Sequence, residues 1–323
     1  MEQINDNLQT DFLRPFGVEG TSISGHALAL GSALDTIIVQ HDYPDSVSNL
    51  LAQLLALTAL LYGSFKFKGI LTLQIKGDGP LDLLVCDVDH EGALRGYAHF
   101  DEAIIKSPTA PAMDLKALVG EGYLLLVVDP DEGDRYQGVV ELTGPTLVAC
   151  VEHYFTQSVQ HPTKIALAVG FPILSTGGEG GSQGDRLLPK ESSELQGSGW
   201  RAGAVMIQQH SDGVSDEGLF HQWEEALCHM ETIASSELLA GGLLGLDRLL
   251  YKLFHEHGVR VHQPQAVKAR CRCSQEKIQR AVDQAMGSDP GVEEKRENAL
   301  VTCEFCGKVY TIKVSSDVPV LEE

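Results

Sequence analysis

The chain reads as an α/β core domain built on an antiparallel-rich sheet, followed by a helical linker and a small C-terminal four-cysteine zinc domain. Three observations predict this division. Runs of period-two apolar residues come in pairs around turn signals in the first two hundred residues, the pattern of hairpins. After Ser211 the apolar residues step by three and four instead, the spacing of amphipathic helices. Near the end, Cys271-Arg272-Cys273 and Cys303-Glu304-Phe305-Cys306-Gly307 place two close cysteine pairs 29 residues apart, the pattern of a tetrahedral metal site.

Composition narrows the function classes. A length of 323 residues suits two or three units, and a hydrophobic content of 43% is enough for a packed core. The net charge of −21 argues against nucleic acid or an anionic membrane as the main partner, because phosphate binding needs clustered Lys and Arg. The opening Met1-Glu2-Gln3-Ile4-Asn5-Asp6 has neither the basic nor the apolar region of a secretory signal. Leu50 to Leu61 is the longest apolar run and is interrupted by Gln53 and Thr58, too short to span a bilayer. The expectation is a cytoplasmic protein, where thiols stay reduced and paired cysteines signal metal or redox chemistry.

In order, residues up to Arg14 are polar and are expected to fray. Val18 to Val39 suggests a strand and then a helix. His41-Asp42-Tyr43-Pro44 is a turn, and Asp45, Ser46 or Ser48 could cap the following helix, which is apolar nearly all round and therefore buried. Ile70 to Lys76 alternates, Gly77-Asp78-Gly79-Pro80 turns, and Leu81 to Val88 returns. Gly122 to Asp129 and Tyr136 to Leu142 repeat the arrangement in what is expected to be the same sheet. Gly144-Pro145 starts a helix with Leu147, Cys150, Val151, Tyr154 and Phe155 on one face. Ile165 to Val169 and Ala202 to Gln208 could pair. Between them, residues 175–199 hold seven Gly and five Ser and are expected to be a disordered insertion, since no P-loop context accompanies them.

The predicted domains are therefore 1–210 for the core, 211–265 for the helical linker, and 266–323 for the zinc-binding segment and tail. From Ser211 to His257 the chain holds nine acidic residues against only Arg248 and Lys252. The linker helices, broken at Gly241-Gly242, carry Phe220, Trp223, Leu227, Met230 and Ala234 on one stripe, and Leu243, Leu246, Leu250 and Leu253 on another. Such stripes belong to a helical subdomain packed on the core or to a cover that can lift and expose apolar surface; the spacing leaves both open. Val259 to His262 is a short strand, and Ser274 caps a helix to Met286, followed by a loop over 287–298.

The terminal segment has few large apolar side chains, so burial alone could scarcely fold it. Cys271, Cys273, Cys303 and Cys306 are the candidate zinc ligands. A C-x-x-C followed by Gly suits a turn whose backbone N–H groups face the sulfurs, whereas a C-x-C pair must straddle one residue. A disulfide or unrelated free thiols are the alternatives. A sulfur-only site offers no open position for water, so hydrolytic metal catalysis is not expected. His255, His257 and His262 could also be ligands, but four cysteines already satisfy a metal and His255-Glu256-His257 at a helix end is expected to be solvated; Cys86, Cys150 and Cys228 are expected to be small core residues. No nucleophile elbow, kinase set or dinucleotide fingerprint occurs, so no enzyme is expected. Between Ala266 and Val314 nine Lys or Arg face seven Asp or Glu, too weakly basic for a zinc-ribbon nucleic-acid binder. A thiol oxidoreductase would rest on C-x-x-C alone, without a thioredoxin-like setting.

The order of motifs resembles the redox-regulated heat-shock chaperone family of about thirty-three kilodaltons, found in bacterial cytoplasm. The resemblance rests on His41-Asp42-Tyr43-Pro44, Gly77-Asp78-Gly79-Pro80-Leu81, Leu118-Val119-Gly120 with Gly122-Tyr123, and Arg135-Tyr136-Gln137-Gly138-Val139-Val140. It continues through Glu152 with Tyr154-Phe155, His161-Pro162-Thr163, Glu237-Leu238-Leu239, Leu250-Tyr251-Lys252-Leu253-Phe254-His255-Glu256, and the two cysteine pairs. It implies a holdase that works without ATP, inactive while reduced and zinc-bound, one zinc per chain. Oxidation would form Cys271–Cys273 and Cys303–Cys306 disulfides, release zinc, unfold the zinc domain and linker, allow a homodimer, and expose surface that holds unfolding client proteins. Phe220, Trp223, Leu227 and Met230 are then candidates for client contact. The alternative is a constitutive interaction module whose zinc is only a structural staple. The insertion at 175–199 departs from the family pattern.

Overall fold

The computed structural model describes residues 10–65, 67–106, 114–171, 199–210, 216–240, 242–285 and 296–315. Apart from Gly199, the Gly- and Ser-rich stretch lies outside them. The chain forms two compact units, Met1–Ala269 and Arg270–Glu323. The break falls after Ala269, and residues 266–269, expected to open the zinc segment, instead pair with strands of the first unit.

The first unit runs β1 (Phe12–Val18), β2 (Ile23–Leu30), α1 (Ser32–Val39), α2 (Asp45–Tyr62), β3 (Gly69–Gly77), β4 (Leu83–Asp89) and β5 (Ala93–His99). It continues through short α3 (Glu102–Ile105) and α4 (Leu115–Val119), then β6 (Gly122–Pro130), β7 (Tyr136–Glu141), α5 (Leu147–Tyr154), β8 (Thr163–Gly170) and β9 (Arg201–Gln209). It closes with α6 (Asp216–Glu231), α7 (Ser235–Leu239), α8 (Leu243–Phe254), β10 (Val259–Val261), β11 (Gln265–Ala266) and β12 (Lys268–Ala269).

These strands make two sheets, not the single one expected. One has the order β10-β1-β2-β9-β8, with β11 also on β1; the other has the order β12-β5-β4-β3-β6-β7. The expected hairpins all fall in the second sheet, where β3 joins them by pairing with β6 (Leu73↔Leu126). The expected pairing of β8 with β9 belongs to the first sheet. Burial explains the separation. In β3 only Leu71, Leu73 and Ile75 of one face are fully buried, whereas β2 and β9 bury both faces, Leu28 and Met206 on one side and Ala27 and Val205 on the other.

Helix α2 fills the space between the sheets. Leu51, Leu54, Leu55 and Leu57 are fully buried, and the hydroxyl of Thr58 donates to the Leu54 carbonyl at 2.7 Å. It is long and apolar enough to cross a membrane, yet most of it is buried within the unit. None of the expected capping side chains acts at its start; the Ser48 amide bonds to the Pro44 carbonyl instead.

Of the segment expected to fray, residues 1–9 lie outside the described residues and residues 10–14 are anchored. Asp11 is buried, and its carboxylate accepts from the amides of Gly31, Ser32 and Ala33 and from the Ser32 and Thr10 hydroxyls at 2.7–3.1 Å. It thereby caps α1, which has no capping side chain of its own. The next residues, Phe12 and Leu13, enter opposite cores.

Helices α6 and α8, with α7 between them, cover the outer face of the first sheet. Ala226, Met230, Leu238, Leu246, Leu250 and Phe254 share one buried cluster with Phe12, Phe16 and Val205. A second break, at residues 232–234, divides the helices besides the expected one. Arg14 on β1 reaches Asp247 on α8 at 2.9 Å. Among the described residues, the buried Arg14 Nε, Asp247 Oδ1 and His229 Nδ1 have no partner. All three lie where these helices meet the sheet.

Candidate metal centre

The second unit consists of α9 (Gln275–Ala285) and a hairpin of β13 (Arg296–Thr302) and β14 (Val309–Ser315). The strand thus begins inside the stretch expected to be loop up to residue 298. Ser274 accepts from the Lys277 amide at 3.3 Å and starts α9 as expected. The helix then lies along the free edge of β14. Gln279 accepts from the Lys313 amide at 2.8 Å and donates to the Lys313 carbonyl at 2.7 Å, while Gln275 donates to the Thr311 carbonyl at 3.1 Å. Two glutamines one turn apart therefore satisfy a strand edge that would otherwise be open.

The hairpin turn carries the second cysteine pair. The Cys303 amide donates to the Lys308 carbonyl at 3.0 Å, and the amides of Cys306 and Gly307 both donate to the Cys303 carbonyl at 3.2 and 2.8 Å. Gly307 has φ +66°, a left-handed conformation that glycine adopts without strain. The first pair lies in the extended segment leading into α9.

The two segments bring all four Sγ atoms within 4.8 Å of one another. Cys271 and Cys303 are 3.8 Å apart, and Cys273 and Cys306 are 3.5 Å apart. Four sulfurs at about 2.3 Å from a common centre would be about 3.8 Å apart, so the set fits a tetrahedral metal. Among the described residues no other group of His, Cys, Asp or Glu converges in this way. His255 and His257 instead meet the Lys252 carbonyl and Glu225 in the first unit, and His262 is exposed there.

The electrostatics separate the thiols. Burial pushes Cys273 up, but hydrogen bonds with Tyr310 at 3.1 Å and with the other three sulfurs outweigh it and bring the thiol down to about 7. Burial raises Cys303, and burial with the neighbouring sulfurs pushes Cys306 up to about 12. Without a cation the cluster therefore favours one thiolate, since like charges this close cannot all ionise. A bound divalent cation would invert that preference. Lys308 sits 5.0 Å over the Tyr310 ring. Among the described residues, Cys303, Tyr310 and Ile312 form the buried core of this unit.

The sequence model of the family described as Hsp33 protein matches residues 11–313. The chain belongs to the Hsp33 family. Relatives named 33 kDa chaperonin include one from Caulobacter vibrioides, 34% identical over 307 residues and covering 94% of each chain. Another, from Escherichia coli, is 31% identical over 310 residues, covering 94% of this chain and 92% of its own. A crystal structure of the Hsp33 homologue from Thermotoga maritima superposes with a TM-score of 0.66 at 20% identity, covering 94% of each chain, which shows the shared fold.

Within the Hsp33 fold the four candidate client residues do not form one patch. Phe220 is 61% exposed, Trp223 and Leu227 are half-buried, and Met230 is buried at 3% in the cluster beneath α6. Cys86 and Cys150 are buried as expected, but Cys228 is exposed on α6, on the side of the helix away from the sheet. Tyr310, the Gln275 and Gln279 braces, and the Arg14–Asp247 pair escaped the sequence reading. The i, i+4 glutamines on a helix beside a short hairpin were a usable signal; a tyrosine seven residues past Cys303 was not.

Proposed function

We propose that this chain is a redox-regulated, ATP-independent holdase chaperone of the cytoplasm, with no catalytic site of its own. The observation that carries the reading is the convergence of four cysteines in a unit whose described residues form only a small buried core. Zinc, one per chain, would tie the four sulfurs into a tetrahedral centre and supply on the order of 10–16 kcal/mol of folding energy. Cys271, Cys273, Cys303 and Cys306 are the proposed ligands and sensors.

Oxidation removes the thiolates that the metal needs. With hypochlorite, one thiolate of a pair takes chlorine and releases hydroxide; the second thiolate then displaces chloride and forms the S–S bond. The proposed bonds are Cys271–Cys273 and Cys303–Cys306. Cys271 lies near Cys303 and Cys273 near Cys306, but cross-links between the pairs would staple the unit closed. Bonds within each pair leave it free to open.

The proposed division into core (1–210), linker (211–265) and switch (266–323) gives each part a task. The linker covers the apolar face formed by Phe12, Phe16 and Val205. Three buried unpaired polar atoms at that contact each cost about 1–3 kcal/mol, which supports a cover close to release. Its uncovering would offer apolar surface to unfolding client proteins, with Phe220, Trp223, Leu227 and Met230 among the contacts, and would permit a homodimer. Neither nucleic acid nor membrane is a proposed partner.

The test is light scattering of a heat-unfolding client protein mixed with the reduced, zinc-loaded chain or with the hypochlorite-treated chain. Suppression by the oxidised form alone is the expected result. Equal behaviour of the two forms would reduce the four cysteines to a structural staple.

A further inference from the structure

We infer that residues Gln265–Ala269 act as a built-in stand-in for client, bridging two strand edges beside a cleft, and that an extended segment of an unfolding polypeptide takes over those edges when they leave. The inference rests on the holdase reading and names a client site within it. Five residues touch both sheets. Gln265 and Ala266 pair antiparallel with Leu13 and Phe12 of β1, and Lys268 and Ala269 pair parallel with Ala93 and Leu94 of β5. Between them the Val267 amide donates to the Asp11 carbonyl at 3.0 Å, and the Lys268 amide donates to the Gly92 carbonyl at 2.9 Å. Val267 is 7% exposed and belongs to the central core, whereas Gln265, Ala266 and Lys268 are exposed. A strand held by main-chain bonds with one apolar anchor is how sheet edges recognise extended peptides in general.

The strap closes one side of a cleft of about 630 Å³. Its apolar walls are Leu13, Tyr62, Phe65, Phe67 and Val88, with the three rings packed on one another at 5.4 and 6.3 Å. That volume is in the range that takes several side chains. Lys68 and Glu91 on the rim carry opposite charges, so the cleft has no bias towards an anionic ligand and suits polypeptide of mixed composition. Gly92, with φ +75°, marks how closely the strap approaches: a Cβ there would collide with the Ala266 carbonyl oxygen. An occupant therefore meets Gly92 with its main chain and needs an aliphatic residue in the Val267 slot.

The strap is followed directly by Arg270 and Cys271. While the second unit is folded, the residues that directly follow Ala269 belong to ordered chain. Once that unit unfolds, five residues must be ordered for a few main-chain bonds and one buried valine, terms of similar size. Release then exposes two strand edges and the aromatic wall together. A client segment with comparable chemistry competes on equal terms.

The test places a benzoylphenylalanine photoprobe in the full chain as Phe65→benzoylphenylalanine, in the cleft wall, and in a second variant as Lys68→benzoylphenylalanine, at the exposed rim. Val139→benzoylphenylalanine, at an exposed position on β7, is the reference. Each is irradiated with carboxymethylated α-lactalbumin, a permanently unfolded protein, before and after hypochlorite treatment. The expected result is client adduct from positions 65 and 68 in the oxidised chain, loss of that adduct in the reduced chain, and less adduct from position 139. An oxidised chain that suppresses aggregation yet gives no more adduct from the cleft than from position 139 overturns the cleft and leaves the holdase reading intact. An oxidised chain that holds no client overturns both.

Discussion

At the scale of single residues, two buried groups set how the first unit responds to mutation and to acid. Asp11 is a polar residue at the edge of a stretch that reads as tail, yet it satisfies three amides and two hydroxyls. Asp11→Ala leaves those amides buried without an acceptor and should lower the stability of the unit by about 3 kcal/mol. Both tryptophans, Trp200 and Trp223, lie in this unit, so urea unfolding followed by their fluorescence reads it selectively; an unchanged midpoint would show that α1 needs no cap. His26 is the acid-sensitive counterpart. Burial pulls its imidazole down to about 4, and among the described residues its buried Nδ1 has no partner. The unfolded chain takes up a proton near pH 6.5 while the folded chain resists until about 4, so stability is full above pH 6.5 and falls as pH drops between these values. The loss is at most about 3 kcal/mol. The difference between wild type and His26→Gln in urea midpoint, followed from pH 7 to pH 4, should grow in the variant's favour; a constant difference would contradict this.

At the scale of elements, the four sulfurs and α9 hold the second unit together in different ways. Gln279→Ala removes two bonds to the Lys313 backbone, worth about 1–2 kcal/mol. Faster hydrogen exchange at the Lys313 amide, with the metal still bound, is the expected effect. Metal removal by a chelator should be far more severe, because among the described residues the unit's buried core is Cys303, Tyr310 and Ile312 alone. Protection should vanish throughout β13 and β14 while β3 and β4 keep theirs; a unit that stays protected without metal would show that its small core suffices. Much of this was legible in the sequence. The cysteine spacing, the Ser274 cap and the hairpins over 70–88 and 122–142 follow from local chemistry. Two errors share one cause. Phe12–Val18 contains Pro15 and Gly17 and does not alternate, Ala266–Ala269 is too short to show a period, and both are strands because partners supply their edges. The division into two sheets was equally hidden, since strand runs report which residues are buried but not which run lies beside which.

At the scale of the whole molecule, the folded protein carries apolar surface that its own helices and strap cover. The core is deep: α2 buries leucines against both sheets, and that part has no reason to open. The cover is shallower, with Phe254 and Leu250 well packed but Arg14, His229 and Asp247 incompletely satisfied beside them. The stretch 211–257 holds nine acidic residues against Arg248 and Lys252, so it carries a net negative charge. Such a difference in local stability is what allows one part of a chain to unfold while another persists. The client candidates reflect the same contrast: Phe220 is already exposed, while Met230 becomes available only if α6 leaves the sheet. Hydrogen exchange measured along the full chain, in the reduced zinc-loaded form and after hypochlorite, tests this most directly. The account predicts that oxidation strips protection from residues 270–315 and from α6 and α8, while β2, β3 and β9 retain theirs. Continued protection of α6 and α8 after residues 270–315 have lost theirs would contradict it.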